Sequence, residues 1–97
     1  MRITILLLFL LVSVPLNLEA RDSVVLQLRW DHQFQFAGYY AAEMQGYYDE
    51  AWLDVEIRSA VVKGEKLKQA TEEVTSGRAD FGVGAGDVLV AVDKGAD

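Results

Sequence analysis

Two short stretches hold most of the side chains able to do chemistry. Trp30, Asp31, His32, Gln33, Phe34, Gln35 and Phe36 interleave flat apolar rings with two amides, a carboxylate and the chain's single imidazole. Further along, Gly84, Ala85, Gly86 and Asp87 offer backbone N–H groups where a helix is expected to start. Rings that stack, amides that read a polar edge and free backbone donors suit a planar, polar, nitrogen-containing small molecule. They suit a lipid or a sugar phosphate less well.

Other chemistries are excluded or disfavoured by what is missing. Without cysteine there is no disulfide, no thiol nucleophile and no thiolate zinc site. One histidine with no second imidazole makes a metal site unexpected and cannot support a Ser/His/Asp triad. The run from Gly82 to Gly86 imitates a dinucleotide loop, but Asp87 stands where the third glycine is needed, and a carboxylate there disfavours phosphate. Fifteen acidic residues against 9 basic ones, a net charge of -6, would repel nucleic-acid phosphates. With 52% hydrophobic residues the chain is not low-complexity disorder. No catalytic residue, metal or cofactor is therefore expected.

Structural roles compete for the same side chains. Trp30 at a strand end serves a core as readily as a stacking platform. Phe36, Tyr40 and Met44 stand at helical spacing and could simply be core. Tyr39 and Tyr47 could sit half-exposed, and Glu65, Glu72 and Glu73 fit a solvated helix face.

The elements that must position these residues alternate. Residues 24–30 are rich in strand formers. From Phe36 the period becomes helical, and Gly46 stops that helix before a short turn over 47–51. Residues 53–58 alternate apolar and polar strictly, which predicts an edge strand with one wet face. A second helix is predicted within 61–77, with Leu67, Ala70 and Val74 on one face, a Lys68–Glu72 pair and Ser76-Gly77 as its stop. Residues 80–84 form a short strand, and Asp87 caps a last helix. The order βαβαβα implies an α/β fold with a parallel sheet and right-handed crossovers. With the first strand central, the ligand point lies where strands one and three end side by side. The pattern stops where a fourth strand would be expected, so residues 21–97 are read as the first part of a longer domain.

The first 20 residues read as a secretory signal: Arg2, an apolar run over 3–14 broken only by Thr4 and Ser13, then Pro15 and a cleavage site after Ala20. The run is about a dozen residues, short of the ~20 that span a bilayer. The expectation is export to the periplasm or beyond, with membrane contact only through the signal.

The run 30–42, together with Gly46-Tyr47-Tyr48-Asp49-Glu50-Ala51, Leu53-Asp54-Val55 and the segment 76–84, resembles the NMT1/THI5-like (SsuA/THI5) family. That family comprises periplasmic solute-binding proteins of ABC importers, related sensory input domains and fungal pyrimidine synthases. The resemblance runs from about Val24 to Gly95 and covers the first part of a two-lobed fold. It implies a parallel half-lobe of a type II periplasmic binding protein. In that reading Trp30, His32, Phe36 and Tyr39 line a cleft, and Gly84, Ala85 and Asp87 form its other wall. Implied ligands are thiamine-pyrimidine precursors, sulfonates or similar compounds. The implied partner is an ABC permease or a fused histidine-kinase or cyclase module, and a nonfunctional truncated fragment is the remaining alternative. The synthase branch holds pyridoxal phosphate on a lysine just after the third strand, where this chain has Gly84. Two further departures are Trp52, where the family usually has glycine, and 61–66, which replaces a glycine- and proline-containing ligand loop. The second lobe is also absent from this sequence.

Overall fold

The computed structural model describes residues 20–97, so the expected signal segment lies outside the described residues apart from Ala20. Three parallel strands form one sheet in the order β2-β1-β3. Strand β1 is Asp22–Gln27, β2 is Leu53–Arg58 and β3 is Phe81–Gly82. A 3-10 turn, Phe34–Phe36, leads into α1, Ala37–Met44, and α2 is the single turn Tyr47–Glu50. Helix α3 is Ala70–Thr75 and α4 is Asp87–Asp93.

The expected central position of β1 is what the structure shows. Val24 pairs with Val55 and Gln27 with Arg58 on one side, while Leu26 pairs with Phe81 and Gln27 with Gly82 on the other. The ladder outruns the strands: Leu28 N–H donates to Arg58 O (2.9 Å), Val83 N–H to Gln27 O (2.9 Å) and Ala60 N–H to Trp30 O (3.0 Å). Trp30 is thereby tied to the sheet although it lies beyond β1. In β2, Leu53, Val55 and Ile57 are half-buried while Asp54 and Glu56 are exposed, the alternation expected of an edge strand. Leu26, Leu28, Phe36, Ala60, Ala70 and Ala79 make the core, with Gln27 and Glu73 as buried polar residues.

Several elements differ from the sequence expectation. The helix predicted within 61–77 is only Ala70–Thr75. Gly64 takes a left-handed turn (φ 82°), Gln69 is extended, and Lys68 N–H donates to Ala60 O (2.9 Å). That backbone bond holds 61–69 as an open connection, because extended geometry there satisfies donors a helix would use. Lys68 consequently pairs with Glu65 (2.8 Å) rather than with Glu72. The strand expected over 80–84 has two residues. The face of Phe36, Tyr40 and Met44 is not a buried stripe: Phe36 is buried, Tyr40 half-buried and Met44 85% exposed. Glu73, grouped with a solvated face by its neighbours, is 6% exposed.

Trp52 adopts φ 57°, the left-handed region that favours the glycine the resembling family usually has there. Its N–H donates to Asp49 O (3.0 Å) and its carbonyl accepts from Asp22 N–H (3.0 Å), which fixes the turn feeding β2. The residue is 55% exposed, so burial of the ring offsets only part of the strain, which is about 1–2 kcal/mol. Trp52→Gly is expected to stabilise the chain by about 0.5–1 kcal/mol, after the extra entropy of glycine in the unfolded state is subtracted. Urea unfolding checks this; a lower midpoint in the variant would show that ring packing outweighs backbone strain.

Candidate functional site

Parallel strands end together, and crossovers leaving a central strand in opposite directions open a crevice at the carboxyl edge. Here β1 and β3 are the adjacent strands, and the chain beyond each is short and irregular. A cavity of about 530 Å³ lies there. Arg29, Trp30, Gln33 and Gln35 come from the segment after β1, Val83, Gly84, Ala85 and Asp87 from the segment after β3, and Leu67, Gln69 and Ala70 from the entry to α3.

Local physics explains the placement of each wall. Trp30 is held by its carbonyl to Ala60 and keeps 45% of its surface exposed, so its ring is available on the cavity side. Asp31 braces the same segment: its Oδ1 accepts from His32 N–H (2.8 Å) and from Ser59 Oγ (2.9 Å). Those two bonds, the backbone one foremost, hold its carboxyl below the usual carboxylate range. On the opposite wall a Cβ at Gly84 would come within 2.3 Å of Val88 Cγ2, so any side chain there has to displace Val88 from where it packs against the loop.

Asp87 does not cap α4 in the expected way. Gly86 is the N-cap, and Asp87 Oδ1 accepts from Ala85 N–H (2.9 Å) while Oδ2 accepts from the Thr71 hydroxyl. The Thr71 bond and then the Ala85 bond lower its pKa. Its carboxylate thus ties the 84–87 loop to α3 and shapes the cavity wall.

Of the residues expected at the site, the structure brings Trp30, Gly84, Ala85 and Asp87 together around this cavity. His32 turns elsewhere. Its Nδ1 is hydrogen-bonded to the Tyr40 hydroxyl, the two rings meeting edge-to-face with centroids 5.7 Å apart. Burial, followed by the Asp31 and Glu43 charges, pushes the Tyr40 phenol up from its ordinary pKa. His32 and Tyr40 line a second, largely apolar hollow of about 500 Å³ with Phe34, Ala37 and Met44. Gln33 borders both hollows. Phe36 is 3% exposed in the core, Tyr39 is half-buried on α1, and neither borders these two hollows.

Arg29, Leu67 and Gln69 line the cavity without having been singled out from the sequence. Arg29 was signalled only by adjacency to Trp30. Leu67 and Gln69 were assigned to a helix, and they reach the cavity because that helix starts at Ala70. Among the described residues no group of three or more metal-ligating side chains converges, and no helix is long and apolar enough to cross a membrane.

Comparison with known proteins adds one finding. A family model described as NMT1/THI5 like matches residues 33–97. The match includes the 83–87 wall, Gln33 and Gln35, while Arg29, Trp30 and His32 precede it. No curated protein and no solved structure matches the chain.

Proposed function

The chain belongs to the NMT1/THI5-like family, and on that premise we propose that it is a small-molecule binding module whose ligand sits against the carboxyl ends of β1 and β3. The observation that carries this reading is the cavity of about 530 Å³ at the one point of the sheet where two adjacent strands end with diverging crossovers. Its lining combines an exposed indole, three glutamine amides and the backbone of a glycine loop. That set favours a flat ligand with a polar edge, such as a thiamine-pyrimidine precursor or an aromatic or aliphatic sulfonate.

The reading extends to transport. An exported solute-binding protein that delivers its ligand to an ABC permease fits both the family and the expected signal, with a kinase- or cyclase-linked sensor as the other use of the same module. Binding rather than catalysis is favoured because no lysine lies between Arg78 and Lys94, so the 83–87 wall offers no amine for a Schiff base. A stable Schiff-base absorbance with pyridoxal phosphate would overturn that choice.

The test is thermal unfolding of the full chain against a panel of pyrimidines, thiamine precursors and sulfonates. A ligand present at 100 times its Kd is expected to add about 2.7 kcal/mol, a clear rise in Tm. Trp30→Ala is expected to weaken that ligand about tenfold, the scale of one lost stacking contact. A panel that leaves Tm unchanged would defeat the proposal.

A further inference from the structure

Arg29 is the one cationic side chain lining the cavity, in a chain whose net charge is -6. It stands two residues beyond the end of β1 and lines the cavity together with Gln69 and Ala70 of the α3 entry. The other arginines of the described chain are engaged: Arg21 with Asp49, Arg58 with Glu56, and Arg78 with Glu72 and Glu73. Arg29 makes no ion pair or side-chain hydrogen bond among the described residues. The Asp87 carboxylate lines the same cavity and feels the Arg29 charge, but it accepts no hydrogen bond from the guanidinium and instead accepts from Ala85 N–H and the Thr71 hydroxyl. A guanidinium carries five N–H donors in a planar fork and cannot lose its proton. Besides the Asp87 carboxylate, the cavity's remaining polar side chains, Gln33, Gln35 and Gln69, are neutral.

We propose that Arg29 is the specificity-determining residue of this cleft, and that it selects a ligand bearing a compact oxyanion over a neutral ligand of the same shape. The proposal rests on the binding reading above and deepens it. The oxyanion pairs with the guanidinium, the flat part of the ligand lies on Trp30, and the glutamine amides satisfy its remaining polar edge. An acidic protein repels free anions at long range, so local capture has to come from one positioned donor group rather than from the overall field. A carboxylate, a sulfonate and a phosphate all present oxygens that this fork matches, and the dianionic phosphate is the one that the Asp87 carboxylate on the same wall opposes most.

The experiment titrates the full chain with benzoate, benzenesulfonate and phenyl phosphate, and with the neutral benzamide and benzenesulfonamide, following amide and indole resonances by NMR. The charged rings are expected to bind about tenfold tighter than their neutral counterparts, with shifts centred on Trp30 and 83–87. Arg29→Gln is expected to bring the charged-to-neutral affinity ratio from about ten to about one, and added salt is expected to weaken only the anions. The best of the three anions identifies which oxyanion geometry the fork prefers. If neutral and charged rings bind equally at Trp30, or Arg29→Gln leaves the preference intact, the selection by Arg29 is overturned while the cleft stands. If no ring perturbs Trp30 or 83–87, the binding reading itself falls and this inference with it.

Discussion

Gly82→Val is expected to lower the stability of the chain by about 3 kcal/mol, at the upper end of what overpacking costs. Strand β3 has only two residues, and Gly82 lies directly beneath α3. A Cβ built there would stand 3.0 Å from Val74 Cγ2, 3.2 Å from Ala70 O and 3.3 Å from Ala70 Cβ. One of those atoms is backbone and another is a methyl group fixed to it, so little can move aside. Relief has to come from lifting α3 off the sheet, and that strains the Gln27–Gly82 pairing and the Val83 N–H to Gln27 O bond. Both hold the cavity wall in place, so the same substitution is expected to abolish ligand-dependent stabilisation. In a small domain 1 kcal/mol is about 4–8 °C, so a fall in Tm of more than 10 °C is the expected reading. Gly84→Ala is the useful control. Its main obstruction is a side-chain methyl of Val88, a residue 41% exposed at the first turn of α4, rather than backbone, so outward movement of that turn can relieve it and its cost is expected to be smaller. Equal losses at the two positions would show that the tight contact at Gly82 is not what requires glycine.

The parts of the fold legible in the sequence were those set by local rules. Strict alternation over 53–58 gave β2 with its bounds, and Gly46 and Gly77, with φ of 77° and 78°, ended their helices as glycine at such positions does. The β-α-β order gave a parallel sheet, because helical crossovers between strands allow little else, while the central place of β1 was a supposition that the β2-β1-β3 order meets. What escaped was decided between distant segments. The open connection 61–69 depends on Lys68 reaching the Ala60 carbonyl, a bond no periodicity encodes, and it is why Leu67 and Gln69 line the cavity. His32 looked like a cleft residue because it sits beside Trp30, but the Tyr40 hydroxyl, one helical turn into α1, draws its ring to the other hollow. Asp87 was legible as a polar residue at a helix start, yet its partners are Thr71 and Ala85, fixed only once α3 and α4 meet. The site's two strand-end segments could thus be named in advance, and the choice among their side chains could not.

Glu73 shows how far a buried charge can be hidden inside a charged run. Its carboxylate accepts from Arg78 Nε at 3.2 and 3.1 Å and from Nη2 at 3.0 Å, and its backbone carbonyl accepts from Arg78 N–H (2.9 Å) and Ala79 N–H (3.0 Å). One residue therefore clamps the turn from α3 to β3, across Gly77 and the buried Ala79. Glu73→Ala is expected to cost about 2 kcal/mol: charge-assisted bonds of this kind reach about 3 kcal/mol, and the half-exposed Arg78 can recover water. Glu73→Gln keeps the shape and is expected to cost about half as much. The hydrogen bonds from Arg78, then the charges of Arg78, Lys68 and Arg58, hold the Glu73 carboxyl below its ordinary value of 4.5. A carboxyl whose folded pKa is depressed contributes stability that is complete above its unfolded value and disappears as pH falls through the folded one. The wild-type advantage over Glu73→Gln is therefore expected to be constant near neutrality and to shrink progressively below about pH 4.5. Urea unfolding of both proteins across that range measures it. An advantage that persists undiminished in acid would mean that packing, rather than the Arg78 pair, is what Glu73 supplies to the turn.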